Sequence, residues 1–209
     1  MTEENQNYLH NLSNLILNNK KLIFSFLFLI LLLLFSYFFY IDYKRDIKVQ
    51  ISEKYNLAII NYNKDNPSFS ISEMKDVINS KDSTYSPLAL YFLLDNNLLK
   101  EKKEINNYFD NLIYDVNLED EIKNLIIYKK GLYNSSSATE NELLEIFKPL
   151  INKDSMWKSH ALYVIAEYFY SKNEKMKSKE FFEKILETKN SNSQIKLEAQ
   201  KRLRRDFSA

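Results

Sequence analysis

No charged residue interrupts the chain from Leu22 to Ile41, LIFSFLFLILLLLFSYFFYI, and beyond it the apolar positions take up a helical rhythm. A helix over residues 22–41 is about 30 Å long at ~1.5 Å per residue, the thickness of a bilayer core. Backbone groups in lipid must bond within their own segment, so one isolated span has to be helical. Tyr37, Tyr40 and Tyr43 gather at its C-terminal end, where rings with polar tips suit a membrane interface. Lys20 and Lys21 close one end; Asp42, Lys44 and Arg45 close the other. A buried core helix fits less well, because cores seldom hold so long an apolar run. A cleaved leader fits less well too, because no small-x-small site follows the run. The pattern predicts a retained single span embedded in the lipid bilayer. A polar segment, 1–21, precedes it, and a soluble domain, 43–209, follows.

The segment 1–21 places Tyr8, Leu9, Leu12, Leu15 and Ile16 at helical spacing, which predicts a short amphipathic helix at the membrane surface or a loose tail. After the span, Ile47, Ile51, Tyr55, Ala58 and Tyr62 recur by threes and fours, so the helix is expected to run on until Asn66-Pro67. Ser70 and Glu73 have capping-box spacing ahead of Met74, Val77 and Ile78. Ser86-Pro87 reads as N-cap and first helical position of the next helix. Ile105, Tyr108, Phe109 and Leu112 stripe a helix from Lys100 to about Tyr114. Asn117 is the expected cap of a helix striped by Leu118, Ile122, Leu125, Ile126 and a snorkelling Lys129. Thr139 and Glu142 form a second capping box, and Pro149 is expected to end that helix early. Asp154 or Ser155 is expected to cap a helix with Trp157, Ala161, Val164, Ile165 and Tyr168 inward. Met176, Phe181, Phe182, Ile185 and Leu186 line its partner. Ser193 is the expected cap of the last helix, with Ile195, Ala199 and Leu203 inward. The reading is all-α: one transmembrane helix, then short amphipathic helices whose short connections fold them into antiparallel pairs.

Composition narrows the chemistry. The single glycine, Gly131, leaves nothing from which to build a phosphate loop or a dinucleotide turn, so no cofactor or small-molecule substrate is expected. With 29 basic and 28 acidic residues, the balance gives no reason to propose nucleic acid as a partner. There is no cysteine, and His10 and His160 each lack a second ligand at metal spacing. Acidic residues alternate with lysine, as in Lys100-Glu101-Lys102-Lys103-Glu104, which is the mark of a solvated helix face. No catalytic set emerges, and the chain is not expected to be an enzyme.

What remains is binding. Trp157 is a candidate aromatic anchor for a partner, or else packs in the core. Arg202, Arg204 and Arg205 complement the negative end of the last helix, or touch lipid headgroups or an acidic partner. The stretch from about Ser159 to Asn190 matches the large, small and aromatic offsets of a tetratricopeptide repeat. Leu162 and Ile165 take the large positions of its first helix, Ala166 the small one and Phe169 the aromatic. In the second helix Ser178 takes the small position, Phe182 the aromatic and Ile185 the last.

With the polar N-terminal segment, one span, Pro149-Leu150, Trp157, Ala161, Ala166, Phe181-Phe182 and Arg202-Leu203, the layout resembles a family. It is that of single-span, tetratricopeptide-like bacterial proteins that includes the ancillary subunit of the SecYEG translocon. The resemblance implies a bacterial inner-membrane protein with its helical domain in the periplasm, a scaffold between translocon subunits and periplasmic chaperones. It brings no catalytic residues. The other reading is a structural envelope protein that homo-oligomerises through its helical domain. Counting Lys20 and Lys21 against Lys44, Arg45 and Lys48 slightly favours a cytoplasmic domain, whereas the resemblance implies a periplasmic one.

Overall fold

A computed structural model describes the protein over residues 19–207. These form helices without a strand: α1 (Lys20–Ile60), α2 (Ser68–Asn79), α3 (Tyr85–Asp95), α4 (Lys102–Asp115), α5 (Asp120–Asn134), α6 (Glu140–Ile151), α7 (Lys158–Ser171), α8 (Lys175–Glu187) and α9 (Ser193–Phe207). The amphipathic pattern before Asn19, with His10, lies outside the described residues. The chain divides into two compact units at Ser52, inside α1.

The first unit is the apolar part of α1. This helix has 41 residues and neither Gly nor Pro, so it runs about 60 Å at ~1.5 Å per residue, twice a bilayer core. Its apolar side chains from Leu22 to Val49 are exposed, up to 78% for Phe39. Among the described residues it is the one helix long and apolar enough to cross a membrane.

The second unit holds the end of α1 and the remaining helices. Ala58 is fully buried, and the Ser70 hydroxyl donates to its carbonyl at 2.7 Å. Consecutive helices then pack on one another from α2 to α9. In addition α5 lies against α7 and α7 against α9, whereas α3 has no comparable packing on α5. The largest buried side chains are Phe109, Phe147, Phe169 and Phe182, one on each of α4, α6, α7 and α8.

The helix ends show how a chain poor in glycine turns. Lys81, Asn97 and Asn173 take φ of 58°, 54° and 62° just past α2, α3 and α7. Asparagine tolerates this left-handed region better than most residues. Beyond it, the N–H of Leu98 reaches back to the Leu93 carbonyl, and that of Glu174 to Phe169, each at 2.9 Å, closing the helix ends. The lone glycine does a different job. Gly131 sits inside α5 with the Phe147 ring of α6 against its Cα, where a Cβ would come within 2.2 Å of the ring.

Several sequence expectations change. The Thr139–Glu142 capping box forms, with the Thr139 N–H donating to the Glu142 carboxylate at 2.8 Å. The Ser70–Glu73 box does not: α2 starts at Ser68, and Ser70 is drawn to Ala58 instead. Ser86 is no cap either. Asp82 accepts the N–H groups of Thr84 and Tyr85 at 2.8 and 2.7 Å, while the buried Ser86 hydroxyl donates to the Val77 carbonyl. Asn117 lies outside α5, whose N-cap is Glu119. On α5, Ile127 is buried and Ile122 is 42% exposed, because the approach of Phe147 to Gly131 turns the Ile127 side of the helix inward. Pro149 stays inside α6, which continues to Ile151. In the last turn a proline removes only one intrahelical bond. Ser155 serves the turn before α7 by accepting the Trp157 N–H at 3.1 Å, and Val164 is only half-buried. Met176 is 82% exposed, since nine residues place it half a turn round α8 from Ile185. Asn192, not Ser193, caps α9 by accepting the N–H groups of Gln194 and Ile195.

Candidate interaction surface

The α7–α8 pair carries the seven repeat positions. Leu162, Ile165, Ala166, Phe169, Ser178, Phe182 and Ile185 are all at most 3% exposed. Leu162, Ala166, Phe182 and Ile185 join Ala199 of α9 in one apolar cluster, with Ile151, Phe181, Leu203 and Phe207 around it. Small side chains at Ala166, Ser178 and Ala199 let three helices meet among large neighbours. The rings interlock: Phe169 stacks on Phe181 at 5.4 Å and Tyr163 meets Phe182 edge-on at 5.5 Å. Ser178 pays for its place in this crossing, because its hydroxyl is buried without a hydrogen-bond partner. Lys177, on the outer side of α8, pairs with Glu140 and Glu174 at 2.8 Å and sits 4.9 Å from the Phe169 ring. Those carboxylates hold its ammonium above the ordinary lysine range.

The four residues named as candidate partner contacts have different surroundings. Trp157 stands at the N-cap of α7, half-buried, with its indole stacked 5.3 Å from Tyr128 of α5. His160 closes the cluster at 5.3 Å from Trp157 and 5.7 Å from Tyr128. Burial pushes the Tyr128 phenol up. Trp157 therefore joins α5 to α7 before it offers anything outward. Arg202 is also engaged within the fold. Its Nε and Nη2 donate to the Glu167 carboxylate of α7 at 2.7 and 2.9 Å, its Nη1 donates to Asp206, and its guanidinium covers the Tyr170 ring at 4.3 Å. Arg205 also pairs with Asp206, at 2.8 Å, and Arg204 is exposed. Sequence reasoning missed Glu167 and Tyr128. Neither lies within a turn of its partner, so no local signal joins Glu167 to Arg202 or Tyr128 to Trp157.

Two open depressions flank this framework. One, of about 500 Å³, has Ile151, Leu162 and Phe181 as its floor, with Lys158, Lys184, Asp154 and Glu187 on its sides. The other, of about 600 Å³, lies between α3 and α5 and is mostly apolar. The most displaced phenols, Tyr91 and Tyr108, are pushed up to about 12, by burial first and then by Asp95 and Glu104 respectively. Both stay protonated at neutral pH. The Lys75 ammonium, hydrogen-bonded to Glu104, holds that carboxyl below its usual range. Among the described residues no group of three or more His, Asp or Glu side chains is arranged to hold a metal ion. Comparison of the chain with protein-family models, with curated proteins and with solved structures gave no match.

Proposed function

We propose that this chain is a membrane-anchored scaffold for protein–protein contacts. Its α1 holds it in a bacterial inner membrane, and its helical unit presents stacked, tetratricopeptide-like helix pairs to partners. The observation that carries this reading is a long exposed apolar helix joined in one chain to consecutively packed amphipathic helices. The small residues buried at the α7–α8–α9 crossing support the tetratricopeptide-like reading of that region. The resemblance to the ancillary translocon subunit family gives the partners: translocon subunits and periplasmic chaperones, with the helical unit in the periplasm. Affinity purification of the tagged full chain in mild detergent tests it. Recovery of translocon subunits and periplasmic chaperones supports the scaffold. Recovery of the chain alone, as an oligomer, overturns it in favour of a self-associating envelope protein.

A further inference from the structure

Close packing between alternate helices does not extend through the whole unit. Beyond α5, alternate helices lie directly on one another, α5 on α7 and α7 on α9. One step earlier, α3 and α5 pack less closely. The space left there is the depression of about 600 Å³ floored by Pro87, Leu88 and Tyr91 from α3 and by Leu118, Ile122 and Leu125 from α5 and the turn before it. Leu88 and Ile122 are each 42% exposed, although each sits on an otherwise well-packed helix. The Tyr91 hydroxyl is buried without a hydrogen-bond partner. Its ring also carries Lys129 at 5.7 Å. Glu119 belongs to the cleft wall, and Asp120 and Glu121 follow it, all three exposed and, among the described residues, none in a salt bridge. The positive end of α5 accounts for acidic residues there, but not for the open apolar floor beside them.

We infer that the α3–α5 cleft is a docking site for a basic amphipathic segment of another protein. Apolar side chains of that segment fill the space between the helices, and its lysines or arginines face Glu119, Asp120 and Glu121. A volume of this size takes several aliphatic side chains, as in a helix laid in a groove. The acidic edge selects against an acidic segment of the same apolar pattern, since charge complementarity governs partner choice. This inference rests on the scaffold reading and gives it a chemical class of partner.

The test uses the full chain in nanodiscs of zwitterionic lipid, with empty nanodiscs subtracted. The probes are two labelled peptides with leucines at i, i+3, i+4 and i+7, one with lysine and one with glutamate on the other face. Fluorescence anisotropy should show that the lysine peptide binds and the glutamate peptide binds at least about tenfold more weakly, as for a charge-matched interface. Leu88→Asp and Ile122→Asp should each weaken the lysine peptide at least about tenfold, the effect of losing a central anchor. Both positions are open enough for the fold to persist, which circular dichroism checks. Leu197→Asp, 46% exposed on α9, is the control and should leave binding unchanged. Glu119→Lys with Glu121→Lys should reverse the preference between the peptides. Binding of neither peptide, equal binding of both, or binding indifferent to Leu88→Asp and Ile122→Asp overturns the cleft. If translocon subunits still co-purify with the chain in that case, the scaffold stands and only this site falls.

Discussion

Replacing Gly131 with alanine sets two effects of opposite sign against each other. Alanine is the better helix former, by about 0.8–1.0 kcal/mol in a helix interior. Without a neighbour, Gly131→Ala would therefore raise stability. The neighbour here is Phe147, whose Cζ, Cε1 and Cε2 would lie 2.2, 2.3 and 2.8 Å from the new Cβ. Carbon atoms prefer roughly 3.5–4.0 Å, so the ring would have to withdraw by about 1 Å or more. It has little room, being fully buried and close to Tyr128. Overpacking a core in this way typically costs about 1–3 kcal/mol. The net expectation is a loss of up to about 2 kcal/mol. For a domain of this size that is a fall of roughly 2–4 °C in Tm per kcal/mol. Near-ultraviolet circular dichroism of the full chain in detergent follows the melt. A second arm isolates the cause: in a Phe147→Leu background the ring is gone, and adding Gly131→Ala should become neutral or stabilising. A Gly131→Ala chain that melts above the wild type would refute the reasoning, because only helix propensity would then be acting and α6 could not lie against α5 as described.

Ala166→Phe forces a large side chain into the fully buried α7–α8–α9 crossing and should cost about 1–3 kcal/mol in urea titration. Met176→Ala, on the exposed side of α8, should stay within about 0.5 kcal/mol of wild type. Ser178→Ala removes a buried hydroxyl that has no partner and should stabilise, by about 1 kcal/mol; a clear loss would mean that the hydroxyl is hydrogen-bonded after all. Thr139→Ala deletes the capping box of α6 and should lower stability by about 0.5–2 kcal/mol. Glu104 and Glu142 titrate below their ordinary values in the folded chain, the first through Lys75 and the second through the Thr139 N–H. Their contribution is complete above the ordinary glutamate value of about 4.3 and drains away as pH falls through it toward the depressed folded values. The urea midpoint should therefore drop below about pH 4.3, and by less in Glu104→Gln with Glu142→Gln. A reporter active only after export, fused behind Ala209, should be active if the helical unit is periplasmic; a stable but inactive fusion would reverse the topology.

How much of this was legible in the sequence depends on the range of the interaction. The long apolar helix was legible because its apolar run is unbroken from Leu22 to Ile41. The inward face of α4 was legible because period alone determines it. The capping box at Thr139 was legible because both partners sit within one turn. Ser70 and Ser86 have the same local grammar, yet their hydroxyls go to Ala58 and Val77, carbonyls supplied by the preceding helix. Packing on a neighbour outcompeted capping there, and nothing within a turn of either serine announces it. The face of α5 was misread for the same reason, since what fixes its rotation is Phe147, a residue of the next helix. From the sequence, Arg202 complements the negative end of its helix or touches a partner, and Trp157 is an anchor or a core residue; Glu167 and Tyr128, which engage them, lie on other helices.

The order of packing in the helical unit has a kinetic consequence. Each helix from α3 onward finds its main contact in a helix next to it in the chain. Loops to be closed are therefore short, and the entropy of closing them is small. Chains with such local contacts fold fast and have little need to hold apolar faces open while waiting for distant segments. If this unit reaches its compartment thread by thread, N-terminus first, α2 and α3 can pair before α9 has emerged. The arginine clasp of α9 on α7 then comes last, as the step that closes an already formed stack.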